Sequence, residues 1–303
     1  MGRLRAILLV LAVLALALFA WACGDDKPAK DESGDETPSD AASDGEGFPE
    51  EEFQDFLEID PNNFDNSTVI DNEWWPLTPG TRLVYEGFTV ENGEKVPHSV
   101  EDTVTDLTKV INGVRTLVSL EKDFSDGEMI ETEIVFHAQD NDGNVWHLGQ
   151  LRETYDEVEF VGGRVWFVGV PEGAKAGIRM QADPQLGAPS YSQGFAPVPF
   201  AWTDRARVYQ MGQKTTIATG SYDSVMVIQE ADQETEPGVF QLKYYARGVG
   251  VVRIGFLGDD PEQEEMELVE IAKLSPEELA EARTEALGVE QRAYMYSQTP
   301  PAE

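Results

Sequence analysis

The sequence predicts a mainly β fold: a curved antiparallel sheet or partial barrel built from hairpins, with a long covering loop and a short C-terminal helical segment. Three observations carry this. Apolar residues recur at every second position in several runs, turn dipeptides separate those runs, and a helix-start signature occurs only near the end. The chain has 303 residues, of which 41% are hydrophobic and 10% aromatic, enough for a sizeable core. Its formal charge of −35 argues against a nucleic-acid partner, because phosphate binding needs clustered Lys and Arg.

From the N-terminus, residues 1–23 read as a lipoprotein signal peptide. Arg3 and Arg5 precede an uncharged apolar run from Ala6 to Ala22, and the chain's single cysteine, Cys23, ends it. Acylation there would anchor the chain in a membrane, and it would consume the only thiol. Ala20 and Trp21 depart from the usual residues before such a cysteine. Residues 24–52 are acidic and almost free of apolar side chains, so they are expected to form a disordered tether that same-sign charge extends, a stalk holding the domain off an anionic membrane.

Residues 53–274 are expected to form the β domain. In 130–138, Ile130, Thr132, Ile134, Phe136 and Ala138 fall on one face, and Glu131, Glu133, Val135 and His137 on the other. The runs 114–121 and 251–256 alternate in the same way. Turn signals stand at Asn112-Gly113, Asp126-Gly127, Asp142-Gly143, Gly162-Gly163, Pro237-Gly238 and Gly248–Gly250. A three-residue loop at Asn141–Gly143 joins apolar residues on one face of its hairpin: Ala138 opposite Trp146, Phe136 opposite Leu148, Ile134 opposite Gln150. That register sets His137 against His147 on the outer, polar face. The segment 171–200, rich in Gly, Pro and Ala, shows no period and is read as a loop crossing the sheet. In the C-terminal segment 275–303, Ser275-Pro276-Glu277-Glu278 is a capping box with proline at the first helical position. The helix is expected to stop at Gly288, with a second short helix from Val289.

Motif searches return no nucleotide-binding loop, nucleophile elbow or zinc-protease signature, so no catalytic residue and no cofactor is assigned. His137 and His147, with Glu133, could bind zinc weakly, although a pair of stacked histidines is the simpler reading. Asp140, Asp142 and Asn144 gather oxygen side chains, but an EF-hand needs glycine where Val145 stands, which leaves at most an adventitious calcium site. Trp74 and Trp75 could form a sugar or lipid platform, or simply close one end of the core. Arg179, Asp183, Tyr191 and Gln193, in the long loop, are the candidate ligand-binding rim.

Four stretches resemble a family of bacterial exported proteins, many of them lipoproteins, to which no activity is assigned. They are Asn66–Gly87 (NSTVIDNEWWPLTPGTRLVYEG), Ala138–Gly149 (AQDNDGNVWHLG), Ala174–Pro197 and Lys243–Gly255 (KYYARGVGVVRIG). The likeness spans roughly residues 60–296. In that family a cysteine pair often occupies the places of Thr216 and Ser221, so the resemblance implies an unstapled hairpin here. Aromatic residues commonly occupy the places of His137 and His147, which speaks against a metal. The motifs PLTPGTRLVYEG and YYARGVGVV also resemble exported lipoproteins with a curved sheet, some of which cradle lipid. The resulting expectation is an envelope lipoprotein on the extracytoplasmic face, with a non-enzymatic domain that binds an apolar small molecule or lipid. The alternatives are a carboxylate-based hydrolase and a structural or interaction protein of the envelope.

Overall fold

Asn-Gly and Asp-Gly pairs tie the first four strands into a meander. The computed structural model describes residues 56–156, 159–231, 238–259 and 263–296; the signal at 1–23 and the tether at 24–52 lie outside them. Strands β1 (Thr81–Glu91), β2 (Glu94–Ile111), β3 (Val114–Ser125) and β4 (Glu128–Gln139) are joined at Asn92-Gly93, Asn112-Gly113 and Asp126-Gly127. Both residues of each pair have positive φ, as in a two-residue turn whose twist matches the strands it joins. The chain continues through β5 (Val145–Asp156), β6 (Glu159–Phe167), β7 (Lys175–Met180), β8 (Tyr191–Ala196) and β9 (Trp202–Ile217). It ends with β10 (Gly220–Ala231), β11 (Phe240–Ala246), β12 (Gly250–Leu257), β13 (Glu265–Lys273) and a helix, α1 (Pro276–Tyr296).

The strands pair in the order β4-β3-β2-β1-β13-β12-β11-β10-β9-β8-β7-β5, and β5 pairs back with β4. The predicted partial barrel therefore closes as a 12-strand antiparallel barrel with one additional strand. That strand, β6, shares an edge of β5 with β7: β6 takes Gly149–Asp156 and β7 takes Val145–His147. Gly162-Gly163 is therefore no turn. It lies within β6, where the bare Gly163 admits the ring of Tyr296 from α1. Likewise 171–200 is not one loop, since it supplies β7 and β8, which close the wall.

The β4–β5 register agrees with expectation at one end and departs from it at the other. Ala138 faces Trp146 and His137 faces His147, as the three-residue loop requires, and Gly143 has φ 94°. A bulge then displaces the rest, so Phe136 faces Gly149 and Ile134 faces Leu151.

The expected outer face of β4 is turned inward. Its apolar face instead lies under α1, whose buried stripe is Ala282, Ala286, Val289 and Ala293. Ion pairs that hold the helix there include Arg292 to Glu153 at 2.7 Å, Lys109 to Glu290 at 2.7 Å, Lys122 to Glu285 at 2.5 Å and Arg283 to Asp106. The helix starts as predicted, with Ser275 and Glu278 capping each other reciprocally. It then continues through Gly288, because the apolar stripe continues. A helix outside the wall supplies the apolar cover, which leaves the polar face to line the barrel interior.

Candidate functional site

The barrel interior is built from side chains that the strands turn inward, and its floor is built from the chain just before β1. Asn72 organises that floor. Its Oδ1 accepts from the backbone N–H groups of Trp74 and Trp75, at 2.9 and 3.1 Å. Its Nδ2 donates to the carbonyls of Gly143 and Gln181, at 2.9 and 3.1 Å. Both tryptophans are buried. Arg247 lies 4.1 Å over the Trp74 ring, while Trp75 meets His137 edge-on at 4.8 Å and carries the Arg179 guanidinium at 5.6 Å. The pair closes one end of the core, and no open platform is formed.

His137 and His147 stand 5.4 Å apart, ring to ring, and both are buried. This corrects their expected place on an outer, solvated face. Trp166 and Trp202 enclose His147 at 4.8 and 5.3 Å. Burial lowers the pKa of both, with Arg179 adding to the effect, and His147 is pushed down to about 3. Both rings are therefore neutral. Glu133 does not join them, because Arg152 and Gln150 hold its carboxylate. Among the described residues no group of three or more His, Cys, Asp or Glu is disposed to hold a metal. The Asp140 carboxylate is engaged by its own loop. It accepts from the N–H groups of Asp142, Asn144 and Trp146, so its oxygens already organise the hairpin loop.

Glu230 on β10 is the centre of a buried ion-pair group. It accepts from Lys243 at 2.7 Å, Gln193 at 2.8 Å and Arg179 at 3.4 Å. Burial opposes its charge, but Arg179 and Lys243 outweigh burial and hold its pKa at about 2. Gln193 also accepts from Arg179 at 3.2 Å. Tyr191 is buried on the same row, across Ala206 from Glu230, and its hydroxyl has no partner. Of the candidate rim residues, Arg179, Tyr191 and Gln193 thus come together, but inside the wall. Asp183 stays apart on the surface, accepting from Gln185 at 2.7 Å.

A second group lies along β2 to β5. Asp102 pairs in register with Glu121, Glu121 with Glu133, and Glu133 with Arg152. Burial, reinforced by Glu133, raises Glu121 to about 8 and Glu131 to about 9. Burial also raises Asp102 to about 6 against the pull of Arg179, and Asp102 Oδ1 has no partner. At one edge His98 Nε2 lies 3.2 Å from Asp123 and 3.3 Å from Glu264. Burial disfavours its charge, but those carboxylates outweigh it and raise its pKa.

Sequence reasoning missed Glu230, Lys243, Asp102 and Glu121. One signal was available for Glu230: it stands one residue beyond the apolar run 225–228, after Gln229, as a charged residue inside a strand.

No protein-family description and no curated protein matches the chain. Among solved structures, it is similar to a protein of Bacteroides fragilis described as exported and as having a YmcC-like fold. The identity is 11% and the TM-score 0.36, over 67% of this chain and 100% of the other. It is also similar to a protein of Parabacteroides distasonis described as a lipoprotein, at 12% identity and TM-score 0.35 over the same shares.

Proposed function

We propose that this chain is an exported lipoprotein, acylated on Cys23, whose barrel binds a small positively charged solute without catalysis. The N-terminal sequence supports the first part: a basic start, an apolar run and a lone cysteine at its end. The likeness of its motifs to exported lipoproteins agrees with it.

The observation that carries the second part is the excess of carboxyl groups over cationic groups on the inward face. Asp102, Glu121, Glu131, Glu133, Asp204 and Glu230 stand against Arg152, Arg179 and Lys243. Buried polar atoms are normally satisfied by protein, water or ligand, and Asp102 Oδ1 and Tyr191 OH have no hydrogen-bond partner in the protein. A cation that donates hydrogen bonds meets both requirements. An acyl chain in the same place would strip water from carboxylates and offer them nothing, which weighs against the lipid-carrier reading.

Native mass spectrometry of the protein released from the envelope, with thermal shifts in spermidine and other ammonium compounds, tests this. The expected result is a small polar adduct and a raised Tm, both lost in Asp102→Asn. A mass that organic solvent extracts would restore the lipid carrier. No adduct and no shift with any cation would overturn ligand binding. Hydrolysis of a glycoside or ester that disappears in Glu121→Gln would move the protein to the hydrolase class.

A further inference from the structure

The connections β6–β7 (168–174) and β8–β9 (197–201) differ in composition from the rest of this acidic surface. Together they read Val-Gly-Val-Pro-Glu-Gly-Ala and Pro-Val-Pro-Phe-Ala, with Glu172 their only charged residue. They form one protrusion. Ala174 and Ala196 pack with Phe200 and Trp166 at its base, and Lys175 pairs with Phe195 at its root. Its tips are apolar and uncovered: Val198 is 77% exposed and Val170 43%.

The described chain begins beside this protrusion. Phe56 meets Phe195 edge-on at 6.2 Å, Lys175 Nζ lies 4.8 Å over the Phe56 ring, and Leu57 is 46% exposed. Only residues 24–55 separate Phe56 from Cys23. A chain held at Cys23 is therefore tethered through the side of the domain on which Phe56 lies. The charge of −35 repels the rest of the surface from anionic headgroups. An almost uncharged apolar tip is the part of such a surface that can enter a lipid interface.

We infer that the protrusion formed by 168–174 and 197–201 is a membrane-contact site that rests on the bilayer to which Cys23 is anchored. The inference depends on the lipoprotein reading, so its test is made independent of cellular acylation. The chain from Cys23 onward is coupled through its only thiol to a maleimide phospholipid on phosphatidylcholine vesicles. Amide hydrogen exchange is then compared with that of the uncoupled chain.

Peptides covering 168–174 and 196–202 are expected to exchange several-fold more slowly on vesicles, while the turns at Asn112-Gly113 and Asp126-Gly127 are unchanged. Val170→Asp with Val198→Asp, both at exposed positions, should abolish the slowing and leave the fold intact. Unchanged exchange at the protrusion, or slowing spread equally over all turns, would overturn the inference. Slowing that rises with protein concentration in the absence of vesicles would overturn it in favour of a second copy of the chain. The mass of the Cys23 peptide from the native envelope tests the anchor separately.

Discussion

Glu230 shows what a single residue does in this interior. It is 4% exposed and is contacted by two cations, Arg179 and Lys243, and one amide, Gln193. Removing its charge would take away the carboxylate that both cations contact directly. Breaking a buried pair from one side typically costs about 3–5 kcal/mol, because the remaining charge stays desolvated. Glu230→Gln is therefore expected to lower the unfolding free energy by about that amount in urea or guanidinium titrations. Gln229→Ala, one position away on the opposite face, should cost much less. Equal losses at the two positions would mean that the pairing contributes little. The alternation rule could not have found Glu230, because it treats a charged residue in a strand as evidence of an outward face.

Among the elements, α1 is where local signals were most and least informative. Its start was legible, since the capping box at Ser275 and Glu278 depends only on residues three apart. Its end was not. Glycine is a weak helix former, less favourable than alanine by about 1 kcal/mol, but the stripe Ala282, Ala286, Val289 and Ala293 keeps burying surface past Gly288 and outweighs that preference. Gly288→Ala is expected to stabilise the protein by roughly 0.5–1 kcal/mol, read as a rise in Tm of a few degrees. A Cβ there would approach only the tip of Arg292, at 3.2 Å, which can shift. A fall in Tm would show that Arg292 cannot move without releasing Glu153. β7 and β8 were illegible for a related reason. Each is six residues long, glycine-bearing and supported by strands remote in sequence, so neither shows a local period.

At the scale of the whole molecule, the inward face makes stability depend on pH in two directions. Glu121, Glu131, Asp102, Asp123 and Asp204 have folded pKa values raised chiefly by burial, to between about 6 and about 9. The folded barrel therefore holds more protons than the unfolded chain above the ordinary carboxylate range. Stability from these groups is fully present below about pH 4 and is lost as pH rises through 6 to 9. Glu230 acts in the opposite sense. Its folded pKa is depressed, so its contribution is present above about pH 4.5 and is lost as pH falls towards 2. From these groups maximum stability is expected at about pH 4 to 4.5, with a decline towards pH 9 that flattens in Glu131→Gln. Denaturant midpoints measured from pH 3 to 10 check this, and a midpoint that keeps rising to pH 9 would contradict the buried carboxyl cluster.

The sequence by itself determined the β class, the turns at Asn112-Gly113 and Asp126-Gly127, the loop and local register that set His137 against His147, and the start of α1. Each depends on residues adjacent along the chain or paired across one short loop, so the physics that decides them is local. Only the tertiary structure decided which face of each strand is inside. Period two marks two faces but assigns neither to solvent, and a helix from the far end of the chain covers the apolar one. Closure of the barrel, the Trp75 floor and the meeting of Arg179, Gln193, Lys243 and Glu230 follow from contacts between strands far apart in sequence. Those contacts form because enclosed charges must find partners within the same wall.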